Sequence, residues 1–540
     1  MGGQVSVTRG LATTSRHAVE LRVPMGQPDT PPAQRRARIR GAATVILTAI
    51  PILLLVGQAV AWLRTSVDLP YADDWRAYFA GRAGSFDLGW LFAPANDTLS
   101  PVGKMLDSIA QIVLAGNSVT YQLLSMVVVL GLLLVLQWTL LKGALRAPLL
   151  VASAFVLTSP MMRADNYWGN ANLAYHQAIP LICVLGALVV ARKRAGRWLV
   201  VAGFALGLLA GLSYISGALG ALAAGSVMAA IGWSITDGPD RPVARVGAGM
   251  AAAGAITALM QLVAVAGSQG WESSAGNPIT VPWSADFWLY LAGKVGASLV
   301  LPPTQVALSF SLTCAGLAIL GISVLWSLRA LRRRRPTMPP DDAQIATVLL
   351  TLVATVFVYL LLVAAGRASL RTSDIDQPEE VFVLGFVRFH FFWVTAIWPW
   401  VGAVVLSWLV SKPRPPRSWR RVLVAGGAAV SATALVVLST RSVAVNTPRL
   451  YTEFANGQVQ VLRCLQSDHQ RAVPTTCLLP FPAKVRDLLV YAKSIDASFA
   501  RYVQTLPDRQ PIEPLSSLTG PLSGSVEFGD AEVDDAPEGL

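Results

Sequence analysis

Charge is scarce in this 540-residue chain: Asp, Glu, Lys and Arg together make up 14% of it, against roughly a quarter in an ordinary soluble domain. With 54% hydrophobic residues, that deficit excludes a soluble globular protein. Cysteine is rare as well. There are four, with no Cys-x-x-Cys pair and no His-x-x-x-His spacing, which argues against a structural zinc site. Charge is scarcest inside the apolar runs at 42–63, 119–141, 148–162, 174–191, 198–212, 218–235, 246–267, 306–328, 344–366, 391–411 and 422–440, where no Asp, Glu, Lys or Arg occurs. Most of these runs match a hydrocarbon layer about 30 Å thick, so the chain reads as an all-α polytopic membrane protein with about eleven spans. Proton-coupled and many ion-coupled transporters usually need ionisable groups at membrane depth, so the lack of Asp, Glu, Lys and Arg there weakens a transporter reading without removing it, since sugars and lipids can be moved by polar and aromatic linings.

The charge that exists is placed asymmetrically. With the N-terminus inside, the five inner loops hold 18 Lys and Arg in 47 residues, and the five outer loops hold 9 in 133. That is the positive-inside pattern. With the tails added, the inner face carries +19 and the outer face −7, which together make the net +12. The basic balance therefore reports membrane orientation, N-terminus in and C-terminus out, and not a nucleic-acid partner.

Two segments decide the count. The stretch 198–235 would be about 57 Å long as one helix, so it is divided where Gly211 to Gly217 offers a break. Counting 284–301 as a span would put Arg329, Arg332, Arg333, Arg334 and Arg335 outside, so it is read as a helix lying on, or dipping into, the outer face.

Four regions result. Residues 1–41 are a basic, disordered cytoplasmic tail, and 42–440 form the transmembrane domain with large outer loops at 64–118, 268–305 and 367–390. Residues 441–520 are an outer C-terminal segment, with an amphipathic helix expected from Val485, Leu488, Leu489, Ala492, Phe499, Tyr502 and Val503. Residues 521–540, with six carboxylates and no Lys or Arg, are a disordered acidic tail. Cys183 and Cys314 lie in spans and read as packing residues. Cys464 and Cys477 enclose twelve residues in the oxidising outer segment, where a disulfide is expected.

Carboxylates gather just beyond the outer ends of the spans, in the long loops where function concentrates. The first loop holds Tyr71-Ala72-Asp73-Asp74-Trp75-Arg76, then Asn96-Asp97, Pro101 and Lys104. The second holds Arg163-Ala164-Asp165-Asn166-Tyr167-Trp168-Gly169-Asn170, with His176 close behind. Adjacent carboxylates at a membrane surface suit a divalent cation such as Mg or Mn, on Asp73, Asp74 and Asp165, or a base with an orienting partner. A solvated acidic turn is the plain alternative.

A large outer first loop with an acidic pair soon after the first helix, and a second acidic site in the next outer loop, resembles the GT-C superfamily of membrane glycosyltransferases. The likeness covers about 42–440 and extends to a bacterial branch with a similar layout. The second-loop site here is Asp-Asn where the family has paired acids, and the outer C-terminal segment matches no family motif. The resemblance implies transfer of a hexosyl or pentosyl group, with inversion, from a polyprenyl-phosphate carrier to an envelope glycan, lipid or protein. It also implies a multi-pass place in the bacterial inner membrane. Carried over, Asp73 or Asp74 matches the first-loop catalytic acid and Asp165 the second.

The residues themselves suit such chemistry. Attack by a hydroxyl on an anomeric carbon needs a base and a cation at the departing phosphate. Arg367, Arg371, Arg388 and Lys104 stand at the outer face, and Arg388 sits in Phe386-Val387-Arg388-Phe389-His390 where a lipid phosphate would lie. Asn96, Asp97, Asn166, Trp75, Trp168, His176 and His390 complete the expected substrate contacts, with interfacial anchoring as the alternative for the aromatic and basic ones. A transporter or flippase for a lipid or envelope precursor, and a non-catalytic envelope assembly protein, are the rival readings.

Overall fold

The structure, a computed structural model, describes residues 31–70, 72–94, 98–164, 171–192, 196–235, 242–268, 279–332, 340–369, 377–386, 391–410, 419–470 and 485–505. Among them the secondary structure is helical throughout. In chain order the helices are α1 (Pro31–Thr65), α2 (Arg76–Phe79), α3 (Leu88–Leu91), α4 (Pro101–Leu114), α5 (Ser118–Ala144), α6 (Pro148–Phe155) and α7 (Ala171–Val190). Then come α8 (Trp198–Ser213), α9 (Ile215–Ile235), α10 (Pro242–Ser268), α11 (Ala285–Ser298), α12 (Val306–Arg332), α13 (Pro340–Arg367) and α14 (Pro378–Leu384). The last are α15 (Phe392–Thr395), α16 (Trp398–Val410), α17 (Trp419–Arg441), α18 (Thr447–Gln470), α19 (Val485–Ser494) and α20 (Ser498–Thr505).

Within the described residues, each of the eleven apolar runs is largely helical. Eight helices among the described residues are long and apolar enough to cross a membrane, and three apolar segments are shorter: Pro148–Met162, Ala178–Val190 and Trp198–Ser213. The first of these gains length from a change of helix type. α6 continues as a 3-10 helix from Val156 to Met162, and at about 2.0 Å per residue the extended half helps fifteen residues reach about 26 Å. Pro160 disfavours a continued α-helix there because its ring would clash with the carbonyl four residues back.

The expected break within 198–235 falls at Tyr214, whose backbone is extended between α8 and α9. These two helices and α10 pack through glycines: a Cβ on Gly203 would lie 2.1 Å from the Val246 carbonyl, and one on Gly249 2.1 Å from that of Val200. Lipid supplies no hydrophobic drive between helices, so such backbone approach is how they gain dispersion energy. Polar locks add to it. Gln137 of α5 accepts from Trp400 Nε1 at 2.7 Å and donates to the Ala396 carbonyl at 3.1 Å, satisfying groups in α15–α16 that hydrocarbon would leave unpaired.

Several elements depart from the sequence reading. α1 begins at Pro31, so Arg35, Arg36, Arg38 and Arg40 ride on helix where a disordered tail is expected. The segment 284–301 is a helix as expected, α11, but its second half is buried against α12, α13 and α14 and does not lie free on a surface. Cys183 is buried as expected, whereas Cys314 is exposed on α12 and packs against nothing that would bury it. The amphipathic segment 485–503 is two helices, broken at Asp496 with φ +53°. Its apolar face covers the first loop: Leu488, Leu489, Ala492 and Phe499 form one buried cluster with Leu69, Trp75, Tyr78 and Leu465. The C-terminal helices thus share a side with the first loop, the side that the charge pattern assigns to the outside.

Candidate functional site

Of the expected site residues, the side chains of Asp73 and His176 and the whole of Asn96, Asp97, Asp165, Asn166, Trp168, Arg371, Arg388 and His390 lie outside the described residues. So do Cys477 and the side chain of Cys464. Asp74, Trp75, Lys104 and Arg367 are described, together with the elements that flank the others.

Asp73 and Asp74 stand in a 3-10 turn, Ala72–Trp75, that leads into α2. That turn is held from both sides. Before it, Leu69 is buried and its carbonyl accepts from Gln458 Nε2 of α18 at 2.7 Å. Asp68 accepts from the Ser118 amide at 2.9 Å, tying the loop to the start of α5. Burial holds the Asp68 carboxyl above its usual range despite that bond. After the turn, Trp75 is only 2% exposed, with its ring 5.3 Å from Phe499 and 6.0 Å from Tyr78. A sugar platform needs an open face, so Trp75 is corrected from a substrate contact to the anchor that fixes the acidic turn against the C-terminal helices.

The first loop's second motif is pinned from within the bundle. Gln261 of α10 accepts from the Leu99 amide at 2.8 Å, donates to the Leu99 carbonyl at 2.8 Å and to the Gly211 carbonyl at 3.1 Å. This side chain is 1% exposed, and residues 98–100, which directly follow Asn96-Asp97, are buried with it. Lys104 is not poised at a lipid phosphate either. Its Nζ donates to the carbonyls of Trp90 at 2.9 Å and Ala93 at 2.6 Å and lies 4.3 Å from the Trp90 ring centroid. The charge thereby clamps α3 onto α4, and Lys104 is corrected from substrate contact to a brace. One turn on, Asp107 accepts from Tyr121 at 2.6 Å. Burial pushes its carboxyl up to about 7, against the opposing pull of that bond and of Lys104.

On the other side, Arg163 reaches across to α11. It donates to the Ala297 carbonyl at 2.6 Å, and its guanidinium lies 4.7 Å from the Phe391 ring centroid. Ala297 is in the last turn of α11, where its carbonyl also accepts from the Val300 amide at 3.0 Å and the helix end favours a cation. Three residues earlier, on the same helix face, Lys294 is fully buried with its Nζ 5.1 Å from the Tyr290 ring centroid. Arg367 ends α13 half-buried, and nearby the Thr280 amide donates to the Ala365 carbonyl at 3.0 Å. α11 is seated on α14 at two glycines: a Cβ on Gly293 would lie 2.2 Å from the Phe382 carbonyl, and one on Gly385 2.6 Å from that of Tyr290.

These contacts converge. The Ala72–Trp75 turn touches α7, α15 touches α7, α11 and the 3-10 helix 156–162, and Arg163 bridges that 3-10 helix to α11 and Phe391. The expected acids and cations therefore belong to, or directly adjoin, elements in mutual contact. Sequence reasoning gave no role to Arg163, Lys294, Asp107 or Gln261. For Lys294 the signal was present, since it is the lone Lys or Arg of the loop 268–305. Gln261 carried no signal, because a single amide in an apolar run acquires meaning only from what it meets.

Among the described residues no three His, Cys, Asp or Glu side chains gather where they could hold a metal ion. Of the expected set Asp73, Asp74 and Asp165, the side chain of Asp74 is described, and it is half-buried.

No family model matches the chain. No curated protein matches it at significance. Among solved structures, the archaeal oligosaccharyltransferase AglB from Archaeoglobus fulgidus, in complex with an inhibitory peptide and a dolichol-phosphate, aligns with 83% of this chain and 61% of its own at 14% identity and a TM-score of 0.40. The chain thus spans about three fifths of that protein's length.

Proposed function

We propose that this chain is a GT-C-like membrane glycosyltransferase that moves a sugar from a polyprenyl-phosphate carrier to a cell-envelope acceptor on the outer face of a bacterial plasma membrane. The observation that carries the reading is the convergence on α7. The turn holding Asp73 and Asp74 packs on α7, the segment 165–170 leads into α7, and Arg163 meets Phe391, the residue after His390. In this reading Asp73, Asp74, Asp165 and Arg388 line one cavity at the outer surface.

One of the acids takes the proton of the acceptor hydroxyl as its oxygen bonds to the anomeric carbon, while the bond from that carbon to the phosphate oxygen breaks on the opposite side and the configuration inverts. Charge left on the carrier phosphate is met by Arg388 and Arg367, with Arg163 and Lys294 adding positive potential from behind. Asn96, Asp97, Asn166, Trp168, His176 and His390 contact the sugar or acceptor.

The test is transfer by membranes given a labelled polyprenyl-phosphate sugar. Replacing the catalytic acid among Asp73→Asn, Asp74→Asn and Asp165→Asn is expected to cost about 10²–10⁴-fold in turnover with little change in protein level. Arg388→Ala is expected chiefly to weaken donor binding. Unaltered transfer in all three Asp→Asn variants refutes the reading.

A further inference from the structure

An outward-facing helix in a watery loop carries its polar residues outside. α4 does the reverse. Its inward face holds Lys104, Ser108 and Gln111, all buried. Its outward face holds Met105, Ile109, Ile112 and Val113, spaced to form a single stripe, with Ile112 64% and Val113 71% exposed. The neighbouring turn extends the stripe. Ser108 donates to the Ser85 carbonyl at 2.7 Å and Lys104 holds Trp90 and Ala93, so residues 85–93 run along α4 and add exposed Phe86, Leu88 and Phe92. On α4 itself no charge joins this face, since Lys104 and Asp107 are engaged as described; the exposed Asp87, which caps α3 by accepting from the Trp90 amide at 2.9 Å, marks the polar edge of the patch.

We propose that this inverted face of α4 is embedded in the acyl-chain region of the outer leaflet, with 86–92 and its exposed Asp87 at the headgroup edge, as a helix that enters the membrane surface without crossing it. Two observations select lipid as the occupant. First, the patch is continuous with the lipid-facing surface: α4 packs on α5 and α8, whose own exposed residues Leu124, Val127 and Leu209 are apolar. Second, fourteen residues of helix are about 21 Å long, too short to cross but suited to lying in the interface. Hydrocarbon outside also explains why Lys104 and Asp107 are turned inward and satisfied by protein groups, since either charge facing lipid would be costly. The first loop is thereby floored by the bilayer, and the Ala72–Trp75 turn and residues 98–100 are held near leaflet height.

The full-length protein in phosphatidylcholine–phosphatidylglycerol vesicles containing a lipid with a diazirine in its acyl chain tests this. After photolysis, peptide mass spectrometry is expected to show lipid adducts on Ile109, Ile112 and Val113 at yields comparable to those on Leu124 and Val127, and none on Ser108 or Gln111. Adducts on α5 with none on α4 overturn the proposal. So does labelling of α4 only by a headgroup-borne diazirine, or cross-linking of α4 to a second protein chain in place of lipid. The readout needs no catalytic activity, so it stands or falls separately from the glycosyltransferase reading.

Discussion

Gln261→Leu removes one side chain deep in α10 and is expected to free the first loop. In the wild type this amide satisfies both backbone groups of Leu99 and the carbonyl of Gly211, near the end of α8. Leucine fills a similar volume but pairs with none of them. Leu99 is 7% exposed and Ser100 1%, so water does not take over the vacated bonds while the loop stays closed. At about 1–3 kcal/mol for each of the two stranded Leu99 groups, the closed state loses about 2–6 kcal/mol. Hydrogen exchange reads this directly: the Leu99 amide is expected to exchange about 30-fold to 10⁴-fold faster, because local opening sets its rate. Peptides from 242–260 should keep their protection, since α8, α9 and α10 are joined by glycine contacts that the substitution leaves alone. Unchanged exchange at Leu99, or equal loss throughout α10, would refute the claim that Gln261 acts as a specific pin.

Further substitutions probe the same layer. Gly116 has φ +68°, and a Cβ there would lie 2.2 Å from Gln111 Oε1 and 2.5 Å from the Tyr78 hydroxyl, two atoms that bond each other. Gly116→Ala is therefore expected to cost about 1–3 kcal/mol, seen as a lower thermal midpoint in detergent. Phe499→Ala opens the cluster around Trp75 and should cost about 3–5 kcal/mol, with faster proteolysis of 447–505 as the check. For Asp107 the folded carboxyl sits near 7, above the usual 3.8, so the native state holds a proton that the unfolded chain releases. Stability is then greatest below about pH 4 and declines as pH rises toward 7, and Asp107→Asn should flatten that decline in thermal midpoints measured from pH 4.5 to 8. A steeper decline in the variant would invert the sign and refute the assignment.

Which segments are apolar helices was legible residue by residue, because transfer into hydrocarbon is a local property of composition and length. The break between α8 and α9 and the helix at 284–301 followed from the same arithmetic, one from excess length and the other from the misplaced arginines it would otherwise create. The acidic pair stood out because two adjacent carboxylates follow soon after a span that carries no charge. What those residues meet was decided only by tertiary packing. Trp75 and Lys104 carry the same chemistry whether they face a sugar or a protein carbonyl, and it took Phe499, Trp90 and Ala93, brought up by folding, to assign them to support. The 3.6-residue repeat of α4 shows that one face is apolar but not which face looks inward, since an aqueous and a lipid surroundings call for opposite choices. Gln261 and Arg163 act across 162 and 134 residues of sequence. No local pattern encodes such a pairing, because the free energy that makes it, satisfaction of a buried carbonyl or amide, exists only once both partners are out of water.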